Sequence, residues 1–411
     1  MPTRRRFLTA AAIAAGFATM GVTTPAYAQT NYNIASMADF TGPYADVMSQ
    51  LTGARWAVAR WWNAEVGKDL GVKVTLKDYD HRYDAAQVSS LWPGIRSELN
   101  PVVVLGVGGP DVAALQNRLP DDKIPMIMST AGYGFAWLPD PWIFNPRPTY
   151  GHEASAFYQW YRQQKGLDGP LKIGIISSEA SPAYVDIHKG SQQFAKDNPD
   201  IVQVVETVYT EVQPSDLTTQ VHRLARNGAQ LITVQTNTAA VVATKRALQA
   251  IGRKDIPILM SSHNGLPASG KAIGGIEQLE GDFAVYGMAV ASNDDTNARK
   301  FYQMLKDKYG LEAGWNAMTV MGLNQTLIAV RSLEAAVKKH GADKVDGAKM
   351  REAMVTNTIT SEQTFGILPN VSLNTDAPFP LEGLTVNIAT VKDGKHTIAA
   401  EDVPVPALNK W

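Results

Sequence analysis

Six short loops of this chain are rich in glycine or in hydroxyl, amide and aromatic side chains. They lie at residues 39–44, 106–111, 129–133, 177–184, 236–238 and 261–264. Glycine lets a ligand approach the backbone, while Ser, Thr and Asn supply hydrogen bonds and aromatic rings supply apolar walls. The same composition is also typical of ordinary turns and helix caps. The candidate binding residues in these loops are Phe40, Tyr44, Gly108, Gly109, Ser129, Thr130, Ala131, Tyr133, Ser178, Tyr184, Thr236, Asn237, His263 and Asn264.

The elements that position these loops alternate between short apolar runs and longer amphipathic runs. The predicted strands are 33–37, 72–77, 102–105, 125–128, 171–176, 202–208, 230–234, 257–260 and 281–285, with late strands at 362–366 and 384–391. The predicted helices are 45–66, 85–99, 110–118, 154–165, 184–196, 217–226, 238–251, 297–309 and 317–339. This alternation predicts an α/β fold with parallel sheets. Ligands of such sheets bind beyond the carboxyl ends of the strands, where the six loops are expected.

The first 28 residues are typical of an export signal. Arg4, Arg5 and Arg6 precede a short apolar run, and Ala26-Tyr27-Ala28 fits a cleavage site before Gln29. We therefore predict a signal peptide of the twin-arginine type at 1–28 and a protein of the periplasm. The remaining chain is long enough for two domains.

Composition narrows the function classes further. Residues 29–411 contain 35 Lys and Arg against 39 Asp and Glu, and the chain has no cysteine. A slightly acidic chain without a basic run disfavours nucleic-acid binding. The lack of cysteine excludes disulfides, thiolate metal sites and cysteine nucleophiles.

Motifs for catalysis or cofactor binding are incomplete. Gly265–Ala272 resembles a phosphate-binding loop but lacks the hydroxyl after Lys271 and contains Pro267. The segment 106–111 lacks the third glycine of a dinucleotide-binding fingerprint, and His152-Glu153 has no second histidine at helical spacing. We therefore predict no cofactor, no metal and no catalytic residue.

The chain resembles a known family, the type I periplasmic solute-binding proteins of ABC importers in the branched-chain amino acid and amide group. The resemblance covers nearly all of 29–411. It rests on Phe40-Thr41-Gly42-Pro43-Tyr44, Gly53-Ala54-Arg55, Trp62-Asn63-Ala64, Tyr79-Asp80, Asp84–Gln87, Pro125–Thr130, Tyr184 and Leu279-Glu280-Gly281.

The resemblance implies two Rossmann-like lobes with parallel central sheets joined by a three-segment hinge. The N-terminal lobe would comprise 29–147 and 287–361, and the C-terminal lobe 148–286 and 362–411. A small ligand would be held between the lobes and delivered to a membrane permease by a monomeric protein. A receptor-linked sensor and a periplasmic α/β enzyme are the alternatives.

The resemblance also assigns roles to residues. A ligand carboxylate would be held by Gly108–Gly109 and Ser129–Ala131, and Tyr184 matches a recurrent ligand-contacting tyrosine. Family members often have serine in the first of these loops and an acid near 262–264, where this chain has Gly108 and His263-Asn264. Glu179 is the alternative acid, and the aromatic residues between 40 and 137 favour a flatter or amide-type ligand. The ligand classes left open are an amino acid, an amide and a small aromatic carboxylate.

Overall fold

The computed structural model describes residues 29–130, 132, 137 and 139–411. The predicted leader, Ala131 and Tyr133 lie outside the described residues. The described part of the chain contains two sheets whose strands are mostly parallel, which confirms the predicted α/β class.

The first sheet has five parallel strands in the order β2-β1-β3-β4-β5. These are β1 (Thr30–Ala38), β2 (Val72–Asp80), β3 (Val103–Gly106), β4 (Met126–Met128) and β5 (Ile143–Phe144). The helices between them are α1 (Ala45–Trp62), α2 (Ala85–Gly94), α3 (Gly109–Leu115) and α4 (Leu119–Asp122), and α1 and α2 each continue into a short π-helical turn. The strands β3 and β4 are buried along their whole length, as expected for the interior of a parallel sheet.

The second sheet has seven strands in the order β12-β11-β10-β9-β8-β6-β7. The parallel strands are β6 (Leu171–Ser177), β7 (Val202–Tyr209), β8 (Leu231–Val234), β9 (Ile258–Met260) and β10 (Phe283–Tyr286), and the antiparallel strands are β11 (Thr385–Lys392) and β12 (Lys395–Pro404). Its helices are α5 (Tyr150–Lys165), α6 (Pro182–Asp197), α7 (Thr218–Arg226), α8 (Thr238–Ala250) and α9 (Leu266–Ile273).

Three later helices return to the first sheet. They are α10 (Asn297–Tyr309), α11 (Ala317–His340) and α12 (Gly347–Thr356), of which α10 and α11 pack on α1 and α11 also contacts β3 and β4. The chain thus crosses between the sheets three times, after β5, after β10 and before β11. The crossing segments are hydrogen-bonded: Asn145 N donates to Pro378 O at 2.6 Å, and Asn387 Nδ2 donates to Ala291 O at 3.1 Å.

Two buried or capping aspartates fix the entrances to helices near the sheet edge. Asp39 accepts from the N–H groups of Gly42 and Tyr44, at 2.6 and 2.8 Å, and so shapes the turn before α1. Asp84 accepts from Gln87 N at 2.8 Å and so caps the start of α2. Both contacts satisfy N–H groups that a helix start would otherwise leave free.

The prediction of a strand at 362–366 is wrong. Phe365 and Gly366 have φ values of 57° and 75°, and Gly366 N bonds back to Ser361 O, so the segment forms turns. The same segment lies beside helices of the first sheet, since Phe365 stacks on Phe301 at 3.9 Å and contacts Trp61 at 5.4 Å. The lobe boundaries stay a prediction. The sequence analysis also omitted α4, α9, β5 and β12.

None of the described helices is both long enough and apolar enough to span a membrane.

Candidate functional site

Four tyrosine side chains lie close together where loops of the two sheets approach each other. Tyr44 precedes α1 and Tyr83 follows β2 on the first sheet, while Tyr150 begins α5 and Tyr184 lies in the first turn of α6 on the second. The rings of Tyr44 and Tyr83 meet edge to face at 4.7 Å, and the hydroxyl groups of Tyr44 and Tyr184 are near enough for each to shift the pKa of the other. These contacts bring together loops of the two sheets.

Three tyrosines of this cluster, Tyr44, Tyr83 and Tyr184, stay protonated. Burial raises the pKa of all three; neighbouring tyrosines raise the pKa of Tyr83 and Tyr184 further, while the Tyr184 hydroxyl lowers that of Tyr44. A phenol that stays protonated has one O–H donor and also accepts hydrogen bonds. The cluster therefore offers uncharged donors and acceptors to a ligand.

Tyr83 was not among the sequence-predicted site residues. Arg82 and Tyr83 have φ values of 54° and 53°, and Tyr83 N donates to Nδ1 of the buried His81 at 3.0 Å. The tip of the Tyr83 ring lies over Gly108, because a Cβ atom placed on Gly108 would be 2.5 Å from Tyr83 Oη. Two successive left-handed residues that are not glycine persist only where the surroundings hold them, commonly at functional sites.

The loop after β3 satisfies its N–H groups internally. Asp111 Oδ2 accepts from Val107 N at 2.7 Å and from Gly108 N at 3.0 Å, and Asp111 Oδ1 lies 3.6 Å from His81 Nε2. Asp111 and His81 are fully buried. Asp111 thus takes up the N–H groups of Val107 and Gly108, and contact of a ligand carboxylate with Gly108–Gly109 stays a prediction.

The loop after β4 connects this lobe to the crossing segment. Ser129 Oγ donates to Val107 O at 2.9 Å, and Ser129 O accepts from Arg147 Nη2 at 3.2 Å. Thr130 Oγ1 lies 3.4 Å from Tyr150 Oη. The structure therefore places Thr130 beside the tyrosine cluster and Ser129 behind it.

A buried ion pair lies at the hinge below the cluster. Arg147 Nη1 donates to Glu153 Oε1 at 2.8 Å, and the same oxygen accepts from Gly287 N at 2.9 Å, so two crossing segments share one carboxylate. Burial raises the pKa of Glu153 to about 7 against the lowering effect of Arg147. Arg147 Nη2 also donates to Tyr150 Oη at 3.3 Å, which links the hinge to the site.

His263 and Asn264 have their polar atoms engaged within the second lobe. His263 Nδ1 lies 2.7 Å from Ser261 Oγ and Nε2 contacts Thr236 O, so the ring carries its proton on Nε2. Burial lowers the pKa of His263 to about 4, and its ring lies 4.8 Å from that of Tyr150. Asn264 Nδ2 donates to Val234 O and Thr236 O at 3.0 and 2.9 Å. His263 thus offers the site a neutral ring face, and Asn264 fixes the loops.

The remaining candidates lie at the edge of the site or form local caps. Asn237 Oδ1 accepts from Ala240 N at the start of α8, and the buried Ser178 accepts from Ala180 N. Phe40 is 40% exposed, and its N–H donates to Asp80 Oδ1 at 3.0 Å. Contacts of these residues with a ligand stay a prediction.

Among the described residues, no group of three His, Asp or Glu side chains is placed to hold a metal ion. Ser177 Oγ lies 2.9 Å from His188 Nδ1, but both residues are buried, so this pair connects β6 to α6.

Several solved structures share this fold. The chain superimposes on a branched-chain amino acid ABC transporter protein from Thermus thermophilus with bound valine (TM-score 0.74, 17% identity, covering 91% of this chain and 96% of that one). It also superimposes on an ABC transporter substrate binding protein from Aeropyrum pernix (TM-score 0.76, 17% identity, 92% and 97%). A third match is a solute binding protein from R. palustris in complex with 4-hydroxybenzoate (TM-score 0.70, 19% identity, 93% and 98%).

No curated protein sequence matches the chain significantly. The family model described as "Periplasmic binding protein" matches residues 31–379, which is most of the chain. The two-sheet fold with three crossings and the cleft between the sheets agree with that match. The chain belongs to the periplasmic binding protein family.

Proposed function

We propose that this protein is the substrate-binding component of an ABC importer. It captures a small polar solute between its lobes by hinge closure and delivers it to a membrane permease. The solved relatives named above, two of which carry valine or 4-hydroxybenzoate, support this role. We further propose that 1–28 is a twin-arginine signal peptide and that the mature protein acts as a monomer in the periplasm.

The observation that carries the proposal is the interaction between the hydroxyl groups of Tyr44 and Tyr184. It joins side chains from two lobes that the chain connects through three segments. A contact of this kind forms when the lobes close and is lost when they open, so a ligand that touches both lobes favours closure.

Mass spectrometry of the solutes released on denaturing purified residues 29–411 tests the proposal. We expect one small solute in near-stoichiometric amount. Added back to the stripped protein, it should raise the melting temperature by several degrees, as expected when a ligand binds only the native state, and should be recovered unchanged. Consumption of the solute would favour the enzyme alternative. A stripped protein that responds to no solute in a broad nutrient library would contradict the proposal.

Membrane partners distinguish a transporter component from a sensor. We expect crosslinking of the ligand-loaded protein in its native membranes to capture an ABC permease. Capture of a signalling receptor instead would support the sensor alternative.

A further inference from the structure

We propose that Tyr83 and Asp111 exclude α-amino acids from the cleft and that the ligand's acceptor oxygen is bound by the tyrosine hydroxyl groups. The inference rests on the proposed solute-binding function and specifies its ligand. The ligand is an uncharged, hydrogen-bonding carbonyl compound, not a zwitterion.

Two N–H groups of the loop after β3 already have an acceptor within the chain. The buried Asp111 carboxylate accepts from both Val107 N and Gly108 N, at 2.7 and 3.0 Å. A ligand carboxylate at this place would compete for the same donors. It would also be repelled by a like charge in a region that water does not screen.

The space above Gly108 is filled by the ring of Tyr83. The Tyr83 hydroxyl lies where a side chain on residue 108 would begin, at 2.5 Å from such a Cβ atom. A serine at 108, which would bring its own hydroxyl to a ligand, does not fit while Tyr83 is in place. The left-handed backbone at Arg82 and Tyr83 and the bond from Tyr83 N to His81 keep the ring there.

The hydrogen-bond donors that remain for a ligand are the hydroxyl groups of the tyrosine cluster. Tyr150 Oη accepts from Arg147 Nη2, so its own proton stays free for a further acceptor such as Thr130 or the ligand. Tyr44, Tyr184 and Tyr83 add further O–H groups, and burial raises the pKa of each. Several O–H donors in one region suit a carbonyl oxygen.

An amino-acid ligand would also need a partner for its ammonium group. Both ring nitrogens of His263 are engaged by Ser261 and Thr236, and Asn264 is bonded to Val234 and Thr236. Positions 263 and 264 therefore present no carboxylate to pair with an ammonium group, and burying an unpaired ammonium is costly.

Matched pairs of probes test the inference by isothermal titration calorimetry on stripped residues 29–411 at neutral pH. The pairs are L-valine with 3-methylbutanamide, which shares its carbon skeleton, and 4-hydroxybenzoate with 4-hydroxybenzamide. We expect the amide of at least one pair to bind at least tenfold more tightly than its charged counterpart. We expect Tyr83→Phe to weaken that amide's binding three- to tenfold, the usual effect of one lost hydrogen bond.

Two further variants complete the test. Asp111→Asn removes the charge from the loop, so L-valine or 4-hydroxybenzoate should bind it at least tenfold more tightly than the wild type. Tyr309→Phe removes a surface hydroxyl that contacts Glu65 and should bind every probe as the wild type does. Circular dichroism confirms that each variant is folded.

Tighter binding of L-valine or 4-hydroxybenzoate than of either amide would overturn the inference, as would a Tyr83→Phe variant that binds like Tyr309→Phe. Binding of neither amide would also overturn it. The solute-binding function would survive all three results, because it is decided by the solute that co-purifies with the protein.

Discussion

Tyr44 and Tyr184 lie at the starts of helices on different sheets, yet their hydroxyl groups interact with each other. Tyr44 ends the loop that Asp39 shapes before α1, and Tyr184 lies one turn into α6. Because both residues are tied to the ends of buried strands, their separation reports how closed the cleft is.

Removing either hydroxyl of this pair should weaken ligand binding without unfolding the protein. We expect Tyr44→Phe and Tyr184→Phe each to lower affinity for the co-purifying solute about three- to tenfold, since each loses a hydroxyl group that can hydrogen-bond in the closed state. The double variant should bind little worse than either single variant, because both remove the same interaction between the two hydroxyl groups. Calorimetry measures the effect. Fully additive losses would show that the two hydroxyl groups act independently.

Larger truncations in the cleft should weaken binding more strongly. Thr130→Ala and Tyr184→Ala remove groups that line the site but lie outside the two main hydrophobic clusters. We expect both variants to keep their melting temperature within a few degrees and to lose affinity. Unchanged affinity in both variants would mean that the pocket lies elsewhere.

His152 should make the protein less stable as the pH falls. Burial among Trp137, Phe379 and Trp411 lowers the pKa of His152 to about 3, whereas an unfolded histidine titrates near 6.5. Between these values the unfolded state binds the extra proton, so this contribution is complete above pH 6.5 and is lost progressively below it.

Urea denaturation between pH 4 and 6.5 measures this contribution. His152→Phe keeps an aromatic ring in the cluster but cannot bind a proton. We expect the free energy of unfolding of this variant to depend less steeply on pH than that of the wild type, by up to about 1.4 kcal/mol per pH unit. Glu153, whose pKa is raised to about 7, makes the free energy of unfolding change with pH in the opposite direction. The wild type and the variant share this contribution, so it drops out of the difference between them. His222→Gln on the surface of α7 serves as the control. Equal slopes for all three proteins would contradict the assignment.

The ion pair of Arg147 and Glu153 should be costly to break from one side. Both side chains are fully buried. Arg147→Met would remove the charged partner of Glu153 and leave the hydrogen bond from Gly287 N to its carboxylate. We expect a loss of about 3–5 kcal/mol in the free energy of unfolding. Adding Glu153→Gln should recover part of this loss, because the double variant buries no unpaired charge. A double variant less stable than Arg147→Met would contradict this account.

The last residue should stabilise the region around the hinge. Trp411 contacts Trp137 at 5.2 Å and His152 at 5.8 Å, and it lies against Gly190 of α6. We expect Trp411→Ala to lower the free energy of unfolding by about 2 kcal/mol, below the usual cost for a fully buried tryptophan. Trp411→Phe should keep most of that stability. Thermal unfolding of both variants decides the point, and equal melting temperatures for Trp411→Ala and the wild type would show that the contact is negligible.

The sequence predicted most of the fold because its strands are continuous apolar runs between amphipathic helices. The hairpin of β11 and β12 was only half recognised, although Asp393-Gly394 is a hairpin-turn signal and both residues have positive φ. The strand expected at 362–366 failed because turn contacts of Ser361 and Thr364 outweighed its β-like composition.

The site was harder to predict than the fold. Tyr44, Thr130, Tyr184 and His263 are brought together, but Tyr83 was missed because its place depends on two left-handed residues and on a loop 25 positions away. Gly108 was the available signal. A glycine where related proteins often have serine means that another side chain fills the space, and only the folded chain shows that it is Tyr83.

Small-angle X-ray scattering of stripped residues 29–411, with and without the co-purifying solute, tests most directly whether two lobes close on a ligand. We predict a smaller radius of gyration with the solute, and a reduced change in Tyr184→Ala at the same concentration. Identical scattering curves with and without saturating solute would contradict the account.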